Sequence, residues 1–178
     1  MTHVIPDESS RREVLAASLV GALPMLLGPI LAGSATASPL DPAQTIIQPP
    51  EALKWVPTKG YPEGASDRCA LTGDPNGSGL YYMLVRWWPG YMSAPHFYAT
   101  DRFCTVLSGT WWCNSGGDFD PASCVPVKAG SYVRRVAGTP HFDGVVPGAK
   151  EPAVIAICGI APVGYTLVDP SKPGWRKV

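Results

Sequence analysis

From residue 80 onward, the sequence consists of short apolar runs separated by turns that contain glycine and proline. Each run has the length of a β-strand, and none shows the three- and four-residue spacing of an amphipathic helix. Aromatic and β-branched residues are frequent in the runs, as they are in strands. The pattern predicts an all-β sandwich or barrel with strands near 80–88, 103–107, 110–113, 125–128, 132–136, 141–146 and 153–160.

The N-terminus carries an export signature. Arg11 and Arg12 precede a run without charged residues, 14–31, and the small residues Ala35 and Ala37 follow it. This order is typical of a twin-arginine signal peptide, so we expect residues 1–37 to be cleaved after Ala37. The mature protein would then be periplasmic or extracellular.

Two other interpretations of this segment stay open. A run of this length could span a bilayer as an anchor, although Pro24 and Pro29 weaken a spanning helix and no basic cluster follows it. Ordinary Sec secretion is the second. We expect no stable membrane anchor after cleavage, and because the twin-arginine route carries folded proteins, it is compatible with a cofactor loaded before export.

Length and charge limit the remaining possibilities. The chain beyond residue 37 suits one domain, which we divide into an extended, proline-rich arm over 38–79, a barrel over 80–170 and a tail over 171–178. The 14 basic and 14 acidic residues balance, so nothing in the composition favours nucleic acid as a partner.

The five cysteines all follow residue 37. An odd number in an oxidising compartment predicts at least one free thiol. Cys113 and Cys124 flank a polar loop over 115–123, and a disulfide between them would close that hairpin. The alternative is that both are buried and unpaired.

Two groups of residues carry a family resemblance. Gly90, His96, Tyr98, Arg102 and Gly109 keep the spacing of the first cupin motif, in which the second ligand is His and the third is Glu. The sequence therefore resembles a cupin with Tyr98 and Arg102 in two ligand positions.

The second group is similar to the other cupin motif. Gly130, Gly138 and His141 keep its spacing, with Val136 in place of Pro and Val145 in place of Asn. The resemblance extends over about 55–170. It implies a single jelly-roll β-barrel, an arm that can cross to a partner subunit, and a homodimer.

The resemblance also implies a site inside the barrel. Alternate residues of a strand share one face, so the motif directs its ligands inward. We expect His96, Tyr98 and His141 to hold a transition metal, namely iron, manganese, zinc, copper or nickel. Tyr98 would act as a phenolate ligand or as a hydrogen-bond donor to substrate, and aromatic core packing is the alternative for it.

Arg102 does not fit the role of an anionic ligand, because its guanidinium stays protonated. We expect it to bind a carboxylate or phosphate of a ligand, or to pair with Asp101 or Asp143. Asp101 could replace the missing carboxylate ligand only through a β-bulge. Cys104 and Trp112 should line the same pocket, together with Tyr82 or Met83 and Trp87 or Trp88.

Three functions are compatible with this sequence. The first is a metal-dependent enzyme, dioxygenase- or decarboxylase-like, that acts on a small carboxylate or aromatic compound. The second is a metal-free cupin that binds a small molecule, and the third is a structural protein with a degenerate pocket. Fold alone does not choose among them.

Overall fold

The computed structural model describes residues 45–178, of which Gln48–Val178 form one unit. The predicted signal peptide, with Arg11, Arg12 and Ala37, lies outside the described residues. The described chain is built from strands and two short 3-10 turns, Pro50–Ala52 and Pro121–Ser123. The prediction of an all-β fold is confirmed.

Thirteen strands are present in the described part. In chain order they are β1 Val56–Pro57, β2 Ser66–Thr72, β3 Gly79–Trp87, β4 Tyr91–Ser93, β5 His96–Phe97, β6 Arg102–Ser108, β7 Thr110–Cys113, β8 Val125–Lys128, β9 Tyr132–Arg135, β10 Asp143–Val145, β11 Ala153–Ala161, β12 Thr166–Leu167 and β13 Trp175–Lys177.

The strands form three antiparallel sheets. The largest has the order β1-β2-β3-β11-β6-β9, the second has the order β13-β4-β10-β7-β8, and β12 pairs with β5. The two larger sheets share one core, because Val106 of β6 and Ile155 of β11 pack in the same buried cluster as Trp111 of β7 and Val145 of β10. This arrangement of two apolar inner faces is the jelly-roll expected from the sequence.

Strands β3 and β11 form the centre of the larger sheet. They pair along their full length, and their alternating residues bury Met83, Val85 and Trp87 on the inner face. The opposite face is partly covered by Leu53 and Trp55, which pack on a second small cluster. Alternation thus gives these strands an inner apolar face and an outer face that is only partly covered.

The barrel extends beyond the predicted limits 80–170 at both ends. Ser66–Thr72, expected in the arm, is a full strand beside β3, and Trp175–Lys177, expected in the tail, pairs with β4. Asp67 places a carboxylate on β2, the first of these two strands. The Asp67 carboxylate accepts hydrogen bonds from Arg86 and Trp88, so its charge is compensated within the sheet.

The cysteines do not form the expected disulfide, and all five thiols are free. Cys113 packs in the core between the sheets, whereas Cys124 packs with Met92 and Phe142 in a separate cluster. The two side chains belong to different clusters, so the hairpin is not closed covalently. The alternative of buried, unpaired thiols is the correct one for this pair.

No helix among residues 45–178 has the length and apolar character needed to cross a membrane.

Candidate functional site

His96 and His141 lie side by side at the centre of the site. The amide nitrogen of each donates a hydrogen bond to the carbonyl oxygen of the other, both at 2.9 Å. Their ring centroids are 4.5 Å apart, and both side chains are buried. Residues that are far apart in the chain are thus brought together by strand pairing.

The hydrogen bonds of the two imidazoles leave one nitrogen of each ring available. Nδ1 of His96 lies 2.7 Å from the carbonyl oxygen of Ala94, and Nδ1 of His141 lies 2.9 Å from that of Thr139. A carbonyl only accepts, so each Nδ1 carries the proton in this arrangement and Nε2 keeps its lone pair. Nε2 of His141 is buried and has no hydrogen-bond partner.

The surroundings keep both rings neutral. Burial, and next to it the neighbouring His141, lower the pKa of His96 to about 3. Burial likewise lowers the pKa of His141. Neutral imidazole is the form that binds a metal ion, so neither ring needs to lose a proton first.

Asp143 supplies a carboxylate to the same place. One of its oxygens accepts a hydrogen bond from Nε1 of Trp111 at 3.1 Å, and the other lies 3.0 Å from Nη2 of Arg135. Burial opposes ionisation of this carboxyl most strongly, but Arg135, His141, His96 and Arg102 together outweigh it, and the pKa of Asp143 is held below its usual value. Asp143 is therefore a buried, charged and oriented group.

His96, His141 and Asp143 together form a candidate metal site. Their potential ligand atoms all lie within 4.8 Å of one another, and the three residues are buried. Sequence reasoning considered Asp143 only as a partner for Arg102. The signal that it missed is the spacing His141-x-Asp143, since residues two apart on an extended strand share a face.

Asp143 is held in place by a close contact between strands. Its neighbour Gly144 faces β4, where a Cβ at position 144 would overlap the carbonyl oxygen of Tyr91 and lie 2.5 Å from Cα of Met92. The hydroxyl of Ser93 donates to the carbonyl oxygen of Asp143 and accepts from its amide. The absence of a side chain at 144 therefore allows β10 to approach β4 closely.

Tyr98 and Arg102 stack beside the histidines. The rings of His96 and Tyr98 pack edge to face, with centroids 5.0 Å apart. The Arg102 guanidinium carbon lies 4.2 Å from the centroid of the Tyr98 ring. Burial raises the pKa of Tyr98, which favours the neutral phenol over the phenolate that a metal ligand would require.

The expected partners of Arg102 are engaged elsewhere. Asp101 binds Arg134 and the amide of Ala137, and Asp143 binds Arg135. Pairing of Arg102 with Asp101 or Asp143 is therefore not observed, and Asp101 is not available to replace the missing carboxylate ligand. Arg102 has no carboxylate partner among the described residues.

Trp111, and not Trp112, lines the pocket inside the barrel. The prediction that Trp112 lines this pocket is therefore wrong. Trp111 is buried and contacts Asp143, whereas Trp112 packs against the outer cluster of Met92 and Phe142. The alternation of β7 places the two indoles on opposite faces, and the sequence did not show which face was inside. Cys104 is buried on the same face as Arg102, as expected.

Two adjoining cavities give access to the site. The inner cavity, of about 40 Å³, is lined by His96, Asp143, Cys104 and Trp111 among others. The outer cavity is about 480 Å³ and includes Met83 in its wall. Five residues line both cavities: Tyr61, Arg68, Tyr98, Arg102 and Tyr165. Of these, the sequence motifs indicated only Tyr98 and Arg102.

No protein-family model and no curated protein matches the sequence. Solved structures do match. The polyketide cyclase RemF from Streptomyces resistomycificus is 17% identical with a TM-score of 0.55, and the match covers 70% of this chain and 85% of that one. An RmlC-like cupin protein from Ralstonia eutropha JMP134 is 15% identical with a TM-score of 0.54, covering 74% and 75%.

A third solved structure is the DMSP lyase DddQ from Ruegeria pomeroyi DSS-3, which is 14% identical with a TM-score of 0.53. That match covers 68% of this chain and 64% of the other. Identities this low establish a shared fold and not a shared activity. The described chain has the cupin fold, as the two sequence motifs indicated.

Proposed function

From the cupin fold and the buried group in its interior, we propose that this protein is a metal-dependent enzyme, dioxygenase- or decarboxylase-like, acting on a small carboxylate or aromatic compound. The observation that carries the proposal is the convergence of His96, His141 and Asp143, whose donor atoms lie within 4.8 Å of one another. Two imidazoles and one carboxylate form a donor set that iron, manganese, zinc, copper and nickel accept.

The residues present fit such an ion. Nε2 of His141 is buried and has no hydrogen-bond partner, whereas buried polar atoms normally have one, so a metal ion could be the partner of this nitrogen. A bound ion would supply Lewis-acid or redox chemistry to a substrate next to it. The carbonyl oxygens of Ala94 and Thr139 fix the two imidazole tautomers, and this orientation from outside the donor set is typical of metal-binding histidines.

The substrate would occupy the outer cavity with its reacting end in the inner one. Arg102 stays protonated and stacked on Tyr98, and it would orient a carboxylate by charge-assisted hydrogen bonds. Tyr98 and Trp111 line the inner cavity and limit its volume to about 40 Å³, enough for roughly three water molecules. Most of the bulk water is therefore excluded from the reacting end.

Elemental analysis of the exported wild-type protein tests the proposal. We expect about one transition-metal ion per chain, and its loss in His141→Ala and in Asp143→Asn. Asp169→Asn is the matched control, since Asp169 is exposed and pairs with Lys172. Wild-type protein that contains negligible metal and does not take up these ions on titration would refute the enzyme proposed here.

The second candidate function is a metal-free cupin that binds a small molecule. One observation favours it: both carboxylate oxygens of Asp143 already have partners, in Trp111 and Arg135, so the group could serve as a structural ion pair. In this case metal content is negligible in every variant. Stabilisation by a bound anion is then lost in Arg102→Ala.

We also propose export by the twin-arginine route, on the basis of the Arg11-Arg12 pair before the apolar run. Fusion of residues 1–45 to a reporter that requires this route should place the reporter in the periplasm. Replacing both arginines by lysine should retain it in the cytoplasm. Export of the double variant at the wild-type level would point to Sec secretion instead.

We further propose a homodimer. The outer face of β3, β11 and β6 exposes Leu80, Tyr82, Phe103 and Ile160 on neighbouring positions, and such an apolar patch is typical of an interaction surface. Light scattering coupled to size-exclusion chromatography should give twice the monomer mass. Ile160→Lys should shift it toward the monomer, and a monomeric wild type would refute the proposal.

A further inference from the structure

The wall of the outer cavity carries positive charge without a counterion. Three cationic residues line it, Lys59, Arg68 and Arg102, and no Asp or Glu is among its lining residues. Its volume of about 480 Å³ is in the range of small-molecule sites. A cavity with this balance attracts anions and repels cations.

The arginines of the cavity differ from the arginines around it. Arg86, Arg134 and Arg135 each form an ion pair with an aspartate. Within the described residues, neither Arg68 nor Arg102 has such a partner. Arg176 also lacks a carboxylate partner in this part of the chain, but its guanidinium donates to the carbonyl oxygens of Pro173 and Trp175, and it does not line this cavity. Arg68 and Arg102 are thus the unpaired arginines that line the outer cavity.

Arg102 has a polar atom that is buried without a partner. Its Nε and the hydroxyl of Tyr81 are both buried without a well-aligned hydrogen-bond partner, and the two side chains lie close enough to interact with each other. Tyr81 lies against Gly159, where a Cβ would come within 2.9 Å of the Tyr81 hydroxyl, so the ring occupies space that only glycine leaves free. Buried donors of this kind usually have an acceptor, and an anionic oxygen would satisfy both of these.

Arg68 and Arg102 come from separate parts of the sheet. Arg68 is on β2 and Arg102 is on β6, and the strands β3 and β11 lie between them. The two cations therefore do not form a single cluster on one strand. Two guanidiniums that reach one cavity from different strands can each bind one anionic group of the same ligand.

We propose that the outer cavity binds a small dicarboxylate, with one carboxylate at Arg102 and Tyr81 and the other at Arg68. This inference rests on the proposed function, because it names the substrate class of the same site. Lys59 at the cavity wall adds a third positive charge to the field that attracts the ligand.

Isothermal titration calorimetry with three probes tests the proposal. Succinate is the dicarboxylate, butyrate is the monocarboxylate of equal length, and inorganic phosphate carries its charge on one group. We expect succinate to bind at least about tenfold more tightly than butyrate, since a second charged hydrogen-bonded group contributes this much. Phosphate should show no such advantage over butyrate.

Two variants and a control assign the contacts. Arg68→Gln should abolish the preference for succinate and leave butyrate binding unchanged, while Arg102→Gln should weaken both. Lys128→Gln removes one exposed charge on β8, which lines neither cavity, and should change nothing. Because Arg102→Gln could fail to fold, the exposed Arg68 provides the decisive variant, and Arg102→Lys tests the inner contact with the charge retained.

Equal affinity for succinate and butyrate would overturn the inference, as would a preference that persists in Arg68→Gln or tighter binding of phosphate than of succinate. The His141→Ala protein separates this result from the metal proposal. Succinate preference that depends on Arg68 and persists in His141→Ala supports the anion subsite, whether or not wild-type protein contains metal. Metal without succinate preference would uphold the enzyme and reject the dicarboxylate.

Discussion

His96 and His141 are joined by two backbone hydrogen bonds, one in each direction and both 2.9 Å long. The position of each imidazole is therefore set by an antiparallel β-bridge between β5 and the segment just before β10. Nδ1 of each ring is held by a carbonyl oxygen two residues earlier in the chain. The pair is preorganised, which reduces the cost of ordering a site when a ligand binds.

The Arg135–Asp143 pair should be important for stability. Arg135→Met leaves the buried carboxylate of Asp143 without its cation and should lower the free energy of unfolding by about 3–5 kcal/mol. Arg134→Met is the control, because Arg134 is exposed in its pair with Asp101 and its loss should cost less than about 1 kcal/mol. Denaturation with urea measures both, and equal losses would contradict this account.

Trp111 and Trp112 should respond differently to the same substitution. Trp111→Phe removes the hydrogen bond from Nε1 to Asp143 and should destabilise the protein by about 1–3 kcal/mol more than Trp112→Phe does. The change in side-chain volume is the same in both, so the difference combines the lost hydrogen bond with the deeper burial of Trp111. Thermal and urea denaturation provide the comparison, and a larger effect at Trp112 would show that the strand faces are reversed.

The five thiols should be free in the folded protein. Alkylation after unfolding in denaturant should modify all five, and the melting temperature should be the same with and without reductant. Mass spectrometry of unreduced protein gives the answer. A mass lower by two hydrogens, with a crosslinked peptide containing Cys113 and Cys124, would restore the disulfide that the sequence suggested.

Stability should fall at alkaline pH in a way that depends on Cys104. Burial raises the pKa of Cys104 from its ordinary value of 9.0 to about 11. The unfolded chain therefore loses this proton first, so the contribution of the thiol is complete below about pH 9 and is lost as the pH rises toward 11. Cys104→Ala should make the decline less steep than Cys158→Ala does. Identical alkaline profiles would contradict the prediction.

Most of the fold was predictable from local pattern, and what was missed depended on distant partners. Strand-length runs between turns identified β3, β6, β7, β8 and β11 because their inner faces are apolar. Strand β2 lies inside the predicted arm, and its Asp67 carries a charge within the sheet. The compensation for that charge comes from Arg86, 19 residues away, and no local pattern contains this information.

The candidate site was predictable where motif spacing applied. The motif spacing of His96 and His141 indicated that the two side chains converge. Asp143 could have been added to them only by recognising that His141 and Asp143, two residues apart, share one face of an extended segment. The sequence does not show that Trp111 points inward and Trp112 outward, because the phase of β7 relative to the core is a tertiary property. Arg68 enters the cavity from a strand outside both motifs, so spacing could not reveal it.

The difference in size between the two cavities has a consequence for selectivity. A whole small molecule can occupy the outer cavity, but the inner one admits only a few atoms. Under the proposed function, a compound bound there would present one slender terminus to His96 and Asp143, so any bond that changes would lie at that end. For the enzyme proposed above, branching beside the terminus would block turnover, while variation at the far end would alter affinity and leave regiochemistry intact.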